Sequence, residues 1–195
     1  MSEVVTHNGA HKGDAPQPQS ALGLALGRRS VVLVGMMGAG KSSVGRRLAV
    51  RLGVPFVDAD VEIEKAAGMT ISEIFAQKGE PTFRMLEHGL TEELRQLGGM
   101  VLAPGGGWVG RPDTVALIRP PAKMIYLRIR PRTALARMGR SVASRPLLGR
   151  PDPVGELERL LRERRAAYES ADYVVDVERV ALPEVVRRTL AAMQP

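Results

Sequence analysis

Gly35-Met36-Met37-Gly38-Ala39-Gly40-Lys41-Ser42 is a complete G-x-x-x-x-G-K-S loop, and its flanks give it meaning. Before it runs the apolar, β-branched segment Val31-Val32-Leu33-Val34, and after it a helical pattern continues to Leu52. Strand, glycine-rich turn and helix is the setting in which this motif cradles phosphates. The turn brings backbone N–H groups close to a polyphosphate, which a misplaced Cβ would block. The helix N-terminus adds its partial positive charge. Lys41 supplies a mobile cation for the β- and γ-phosphates, and Ser42 a hydroxyl for Mg²⁺. A plain strand–helix connector could also be glycine-rich, but it would not need the lysine and the hydroxyl. The chain is therefore expected to bind a nucleoside triphosphate.

Working outward, short apolar runs alternate with helical patterns. Strands are expected near 31–34, 54–57, 100–103, 123–128 and 172–176. Helices are expected at 40–52, 60–67, 70–77, 80–97, 111–118, 131–138, 155–169 and 182–193. This alternation predicts an α/β three-layer sandwich: a five-stranded parallel sheet with helices on both faces and right-handed crossovers. In such sheets ligands sit beyond the carboxyl ends of the strands. The chemistry-bearing residues cluster there: the phosphate loop after the first strand, Asp58 and Asp60 after the second, Gly105 to Gly107 after the third.

Composition bounds the rest. The 195 residues suit a single domain, read as 29–195, with a polar extension over 1–28 expected to be disordered. The first part of that extension, Met1–Ser20, is polar and has no apolar segment resembling a secretory signal. The chain has no cysteine, which excludes disulfides and thiolate metal sites, and no apolar run reaches the roughly 20 residues needed to cross a bilayer. Cytoplasm is the expected location. The net charge of +7 raises the question of nucleic acid. The arginines concentrate, however, between Arg128 and Arg165, where eleven stand against four acids. Stacking aromatics are few. Within that stretch, residues 139–154 carry Gly, Pro and Ser without helical period and are expected to be a mobile lid.

Four further features address a phosphate acceptor. In Phe56-Val57-Asp58-Ala59-Asp60, two carboxylates two residues apart at a strand end leave the pleat on one side. One can hold Mg²⁺ through its water shell and the other can orient or deprotonate an alcohol, although Asp at a helix start is also a common cap. Arg84 and Glu87 share a helix face, either as a surface ion pair or as an anion-binding arginine aimed by its own carboxylate. Three successive glycines, Gly105-Gly106-Gly107, cost about 1 kcal/mol each in chain entropy relative to alanine, which points to a ligand approaching bare backbone, with a flexible hinge as the alternative. Arg145, in the expected lid, can reach charge on a transferring phosphoryl group, where such arginines accelerate turnover by about 10³–10⁵. Arg164 and Arg165 both lie on a polar helix, and periodicity does not choose between them.

Taken in order, Gly35–Ser42, Asp58-Ala59-Asp60, Phe83-Arg84 with Glu87, Gly105-Gly106-Gly107, Arg145-Pro146-Leu147-Leu148 and Arg164 four residues before Tyr168 resemble shikimate kinase. The resemblance covers about residues 30–193. It implies a P-loop fold of the nucleoside-monophosphate-kinase type. It implies transfer of the ATP γ-phosphoryl group to the 3-hydroxyl of shikimate, within aromatic amino-acid biosynthesis. By the same resemblance Asp60 meets the accepting hydroxyl as base, and Lys41 and Arg145 act on the transferring phosphate. Gly38, Ala39, Gly40, Lys41, Ser42, Ser43, Arg137 and Arg145 hold ATP. Arg84 and Arg164 clamp the carboxylate, with Gly105, Gly106 and Gly107 beside the substrate, in a binding segment of about 60–90. Ser42 and Asp58 hold Mg²⁺. The implied partner is shikimate alone, with no nucleic acid or membrane, and a monomeric chain. The physical logic is consistent: a small polyol acid needs planar bidentate donors for its carboxylate. A site that pairs each hydroxyl rejects an analogue lacking one by roughly 10⁴–10⁵. Two alternatives remain at this level: a related kinase such as a gluconate kinase, and a nucleotide-dependent switch with a protein or nucleic-acid partner.

Overall fold

The computed structural model describes residues 29–139, 148 and 151–193. Five strands form one parallel sheet: β1 (Val31–Val34), β2 (Phe56–Asp58), β3 (Val101–Ala103), β4 (Lys123–Arg128) and β5 (Tyr173–Asp176), in the order β2-β3-β1-β4-β5. β1 lies at the centre, Val32 opposite Leu102 on one side and Met124 on the other. All four of its residues are buried, as expected of a strand covered on both faces.

Alternation along the strands divides the core in two. Val31, Leu33, Ile125 and Leu127 pack on one face with Leu48 and Leu52 of α1 (Lys41–Leu52) and Val185 and Val186 of α7 (Leu182–Ala192). Val32, Val34, Leu102 and Met124 pack on the other. There they meet Leu94 of α3 (Ile71–Leu97), Ile118 of α4 (Pro112–Ile118) and Tyr168 of α6 (Pro153–Glu169). Two further helices, α2 (Ala59–Ala67) and α5 (Pro131–Met138), complete the chain. The chain thus leaves adjacent strands β1 and β3 toward opposite faces, which opens a crevice beyond their carboxyl ends. The expected layering holds.

The differences from expectation are local. β2 runs to Asp58 instead of stopping at Val57, and α2 begins at Ala59. Asp58 and Asp60 are therefore not both pleat residues: Asp58 ends the strand in extended geometry and Asp60 sits in the first turn of the helix. The expected helices 70–77 and 80–97 both lie within Ile71–Leu97 and are separated, as expected, at Gly79, whose φ of 78° and ψ of 166° are not helical. Pro81 explains the break, because it has no N–H to donate back to the preceding turn. Helix α3 starts with a capping box. Thr70 N donates to Glu73 Oε2 at 2.7 Å, and Glu73 N donates to Thr70 Oγ1 at 3.2 Å. A 3₁₀ turn at Trp108–Gly110 follows the glycine triplet and had no sequence signal. Among the described residues no helix is long and apolar enough to cross a membrane. The 1–28 extension, and the lid apart from Gly139, Leu148 and residues 151–154, fall outside the described residues, and Arg145 with them.

Candidate active site

The phosphate loop leaves β1 at Gly35 and enters α1 through Gly40, whose left-handed φ of 92° suits glycine. The first turn of α1 carries no acid, so nothing there competes with an anion for the helix N-terminus. Lys41 Nζ donates to Gly35 O at 3.0 Å and Met36 O at 3.4 Å, keeping the ammonium over the loop. Ser42 Oγ donates to Asp58 Oδ2 at 2.5 Å. Asp58 stands at the N-cap position of α2 but makes no side-chain cap bond. Its carboxylate serves the phosphate loop, not the helix.

Two cavities meet at this pair, each of about 480 Å³. The first is walled by Asp60, Phe75, Phe83, Arg84, Gly105 to Gly107 and Arg164. The second runs along Gly38 to Val44 and on to Arg137, Val177, Val180 and Leu182. Met37, Lys41, Ser42, Asp58 and Asp60 line both. The carboxylates that the pleat argument placed on one side do face one site, by way of the tight strand-to-helix turn.

The first cavity presents two arginines, Arg84 and Arg164. Arg84 is held by two acids of its own helix: Nη1 donates to Glu87 Oε2 at 2.8 Å, and Nη2 and Nε donate to Glu80 Oε1 at 2.8 and 3.1 Å. Burial opposes its charge, but Glu87 and Glu80 outweigh burial and the net shift is upward. Glu87 is only 2 % exposed, and burial pushes its carboxyl above the usual range. Arg84 opposes that rise and the charge of Asp60 adds to it. Among the described residues Glu87 Oε1 is buried without a hydrogen-bond partner. Two of the three glycines leave room for their neighbours. A Cβ at Gly105 would stand 2.9 Å from Glu87 Oε1 and 3.1 Å from Asp60 Oδ1, and one at Gly107 would fall 2.8 Å from Arg84 Nη1.

The structure also chooses between the two neighbouring arginines of α6. Arg164 lines the first cavity, whereas Arg165 is exposed and pairs with Glu169 at 2.8 Å. Tyr168, one turn on from Arg164, donates its hydroxyl to Gly106 O at 2.7 Å. Burial, partly opposed by Arg164, pushes its phenol up to about 12.

On the second cavity, Arg137 Nη2 donates to Val177 O at 2.7 Å and fixes its guanidinium at the wall. Sequence reasoning missed the rest of that wall, Val177, Val180 and Leu182. Their position after the carboxyl end of a strand is the signal that could have found them. Every expected site residue except Arg145 is described, and all of these line one or both cavities.

A phosphate loop at the centre of a parallel sheet, facing an arginine-and-carboxylate cavity across a shared pair of carboxylates, defines a P-loop kinase of small molecules. The family model for shikimate kinase matches residues 37–194. A shikimate kinase of Rhodopseudomonas palustris is 47% identical over 193 residues, which are 99% of this chain and 93% of that protein. One of Bradyrhizobium diazoefficiens is 45% identical over 177 residues, covering 91% and 85%. Among solved structures, shikimate kinase from Acinetobacter baumannii in complex with shikimate superposes with a TM-score of 0.81 at 35% identity, covering 86% of this chain and 94% of that one. A gluconokinase from Sinorhizobium meliloti, with a TM-score of 0.55 and 22% identity, shares the fold alone. The chain belongs to the shikimate kinase family and is an ATP-dependent kinase.

Proposed function

We propose that this chain moves the γ-phosphoryl group of ATP to the 3-hydroxyl of shikimate, giving shikimate 3-phosphate and ADP, with the roles divided between the two cavities. The observation that carries this reading is the overlap of the cavities at Lys41, Ser42, Asp58 and Asp60. It is the condition for direct handover. Asp60 takes the hydroxyl proton as the oxygen attacks the γ-phosphorus in line and the bond to the β-phosphate oxygen breaks. Arg84 and Arg164 bind the shikimate carboxylate beside Gly105, Gly106 and Gly107. Their forks match a carboxylate bidentately, which supports an acidic acceptor over a neutral one.

ATP lies along Gly38, Ala39, Gly40, Lys41, Ser42 and Ser43, with Arg137 toward the base and Arg145 on the transferring phosphate. Among the described residues no three His, Cys, Asp or Glu side chains converge on a metal site. That suits Mg²⁺, which arrives with the nucleotide and takes one or two protein groups beside phosphates and waters. Ser42 and Asp58, already joined at 2.5 Å, are the residues that would hold it. There it would neutralise phosphate charge. Both halves of the site come from one chain, in keeping with a monomer working on small molecules in the cytoplasm, without nucleic acid or membrane. The test is ADP release with ATP, Mg²⁺ and shikimate, run beside gluconate. Turnover with shikimate only is expected. Turnover with gluconate only, or salt-sensitive binding of DNA or RNA without shikimate turnover, would overturn the reading.

A further inference from the structure

The loop from β5 to α7 forms the far wall of the second cavity through Val177 and Val180. It is tied down in an unusual way. Glu178 reaches across to the start of α5, where its Oε2 accepts from Arg130 N at 3.1 Å and its Oε1 accepts from Thr133 Oγ1. Arg130 is the N-cap residue of α5 and makes no side-chain cap bond, and its N–H, one of the donors left over at that helix end, is taken up by Glu178 from outside the helix. These two bonds also hold the Glu178 carboxyl below the usual range. The other end of α5 returns the contact, with Arg137 donating to Val177 O at 2.7 Å. Inside the loop, Glu178 N donates to Asp176 Oδ1 at 2.9 Å. The next residue, Arg179, has φ 50°, the one left-handed non-glycine among the described residues. A left-handed arginine persists only where its surroundings fix the turn.

We propose that Glu178 is a positioning residue for the nucleotide: by bridging the loop to α5 it holds Val177 and Val180 in place as the apolar wall against which the base of ATP packs. This rests on reading the second cavity as the ATP site. A residue that only capped α5 would affect stability and leave substrate binding untouched, or would weaken both substrates together. A positioning residue affects one of them.

The experiment compares Glu178→Ala and Thr133→Val with the parent chain, measuring kcat and KM for ATP and for shikimate. Thermal unfolding of each variant serves as the check on folding. Glu178→Ala is expected to raise KM for ATP about tenfold, in line with the loss of one helix cap, with KM for shikimate within about twofold. Thr133→Val removes one of the two bonds without altering the loop and is expected to give a smaller rise of the same kind. It also serves as the deciding variant should Glu178→Ala fail to fold. An unchanged ATP KM in a folded variant, or equal rises for both substrates, would overturn the proposal. A parent chain that turns over no shikimate with ATP would instead sink the functional reading beneath it, so the two failures are distinct.

Discussion

Tyr168 Oη and Gly106 O are 2.7 Å apart, and this bond ties the helix that carries Arg164 to the glycine loop beside it. Tyr168 is nearly fully buried and stacks on Tyr126, centroids 5.0 Å apart and rings within 9° of parallel. Tyr168→Phe keeps the stack and removes only the hydroxyl. The net loss of one hydrogen bond, with a carbonyl left less satisfied, is expected to lower unfolding free energy by about 1–2 kcal/mol. Because the bond sets the distance from Arg164 to the glycines, KM for shikimate should rise severalfold while KM for ATP stays near its parent value. Denaturant unfolding and steady-state kinetics check this, and an unchanged KM for shikimate would break the link between the tyrosine and the clamp.

The glycine triplet gives a graded test. A Cβ at Gly106 would meet its nearest atoms at 3.7 Å, an ordinary contact. At Gly105 it would press on Glu87 Oε1 at 2.9 Å, and at Gly107 on the Arg84 guanidinium. Gly107→Ala is expected to displace Arg84 and raise KM for shikimate by about tenfold or more, since one misplaced charge-assisted bond is worth about 1.5–3 kcal/mol. Gly105→Ala should behave similarly through Glu87 and Asp60, and Gly106→Ala should fold normally. Equal effects at all three positions in the unfolding temperature would show that backbone entropy, not contact, selects these glycines.

Arg84 makes three donor contacts to Glu80 and Glu87 and still lines the cavity. Removing it with Arg84→Ala leaves the buried Glu87 charge uncompensated, which costs about 3–5 kcal/mol of stability and confounds a binding assay. Arg84→Lys keeps the charge and loses the fork. It is expected to raise KM for shikimate about 10- to 100-fold with a smaller change in kcat, measured at saturating ATP. A lysine variant with unaltered KM would remove Arg84 from the carboxylate clamp.

What the sequence made legible, and what it did not, follows from the range of the forces involved. β1 and the phosphate loop could be read because a fully buried strand is a continuous apolar run and a tight phosphate turn demands glycine at fixed positions. The break at Gly79–Pro81 could be read because proline lacks a donor. The split of Asp58 and Asp60 between a strand end and a helix turn could not, because extending β2 by one residue hangs on pairing with β3, where Asp58 stands opposite Ala103. Arg164 and Arg165 differ by about 100° around one helix, and which of them faces the cavity depends on how that helix docks, through Leu157, Leu160 and Tyr168 among others. Val177, Val180 and Leu182 have no period at all, since a loop wall is set by what it packs against.

Glu87 supplies a prediction in pH. Burial raises its folded-state pKa above the ordinary glutamate value of 4.5 despite Arg84 beside it. Between 4.5 and that raised value, the folded protein holds a proton that the unfolded chain has released. Unfolding free energy therefore falls as pH climbs through that window. Glu87→Gln has no such proton to lose. The variant is expected to be set back by losing the charge that holds Arg84. Its unfolding temperature relative to the parent should nevertheless improve as pH is raised through that window. In the same window the parent should lose affinity for shikimate as pH falls, because a protonated Glu87 no longer orients the Arg84 guanidinium at 2.8 Å, and the variant should lack that limb of the profile. An unfolding difference that moved in the parent's favour with rising pH would mean that the pairing with Arg84 outweighs the burial of Glu87, and that its carboxyl is held down instead of pushed up.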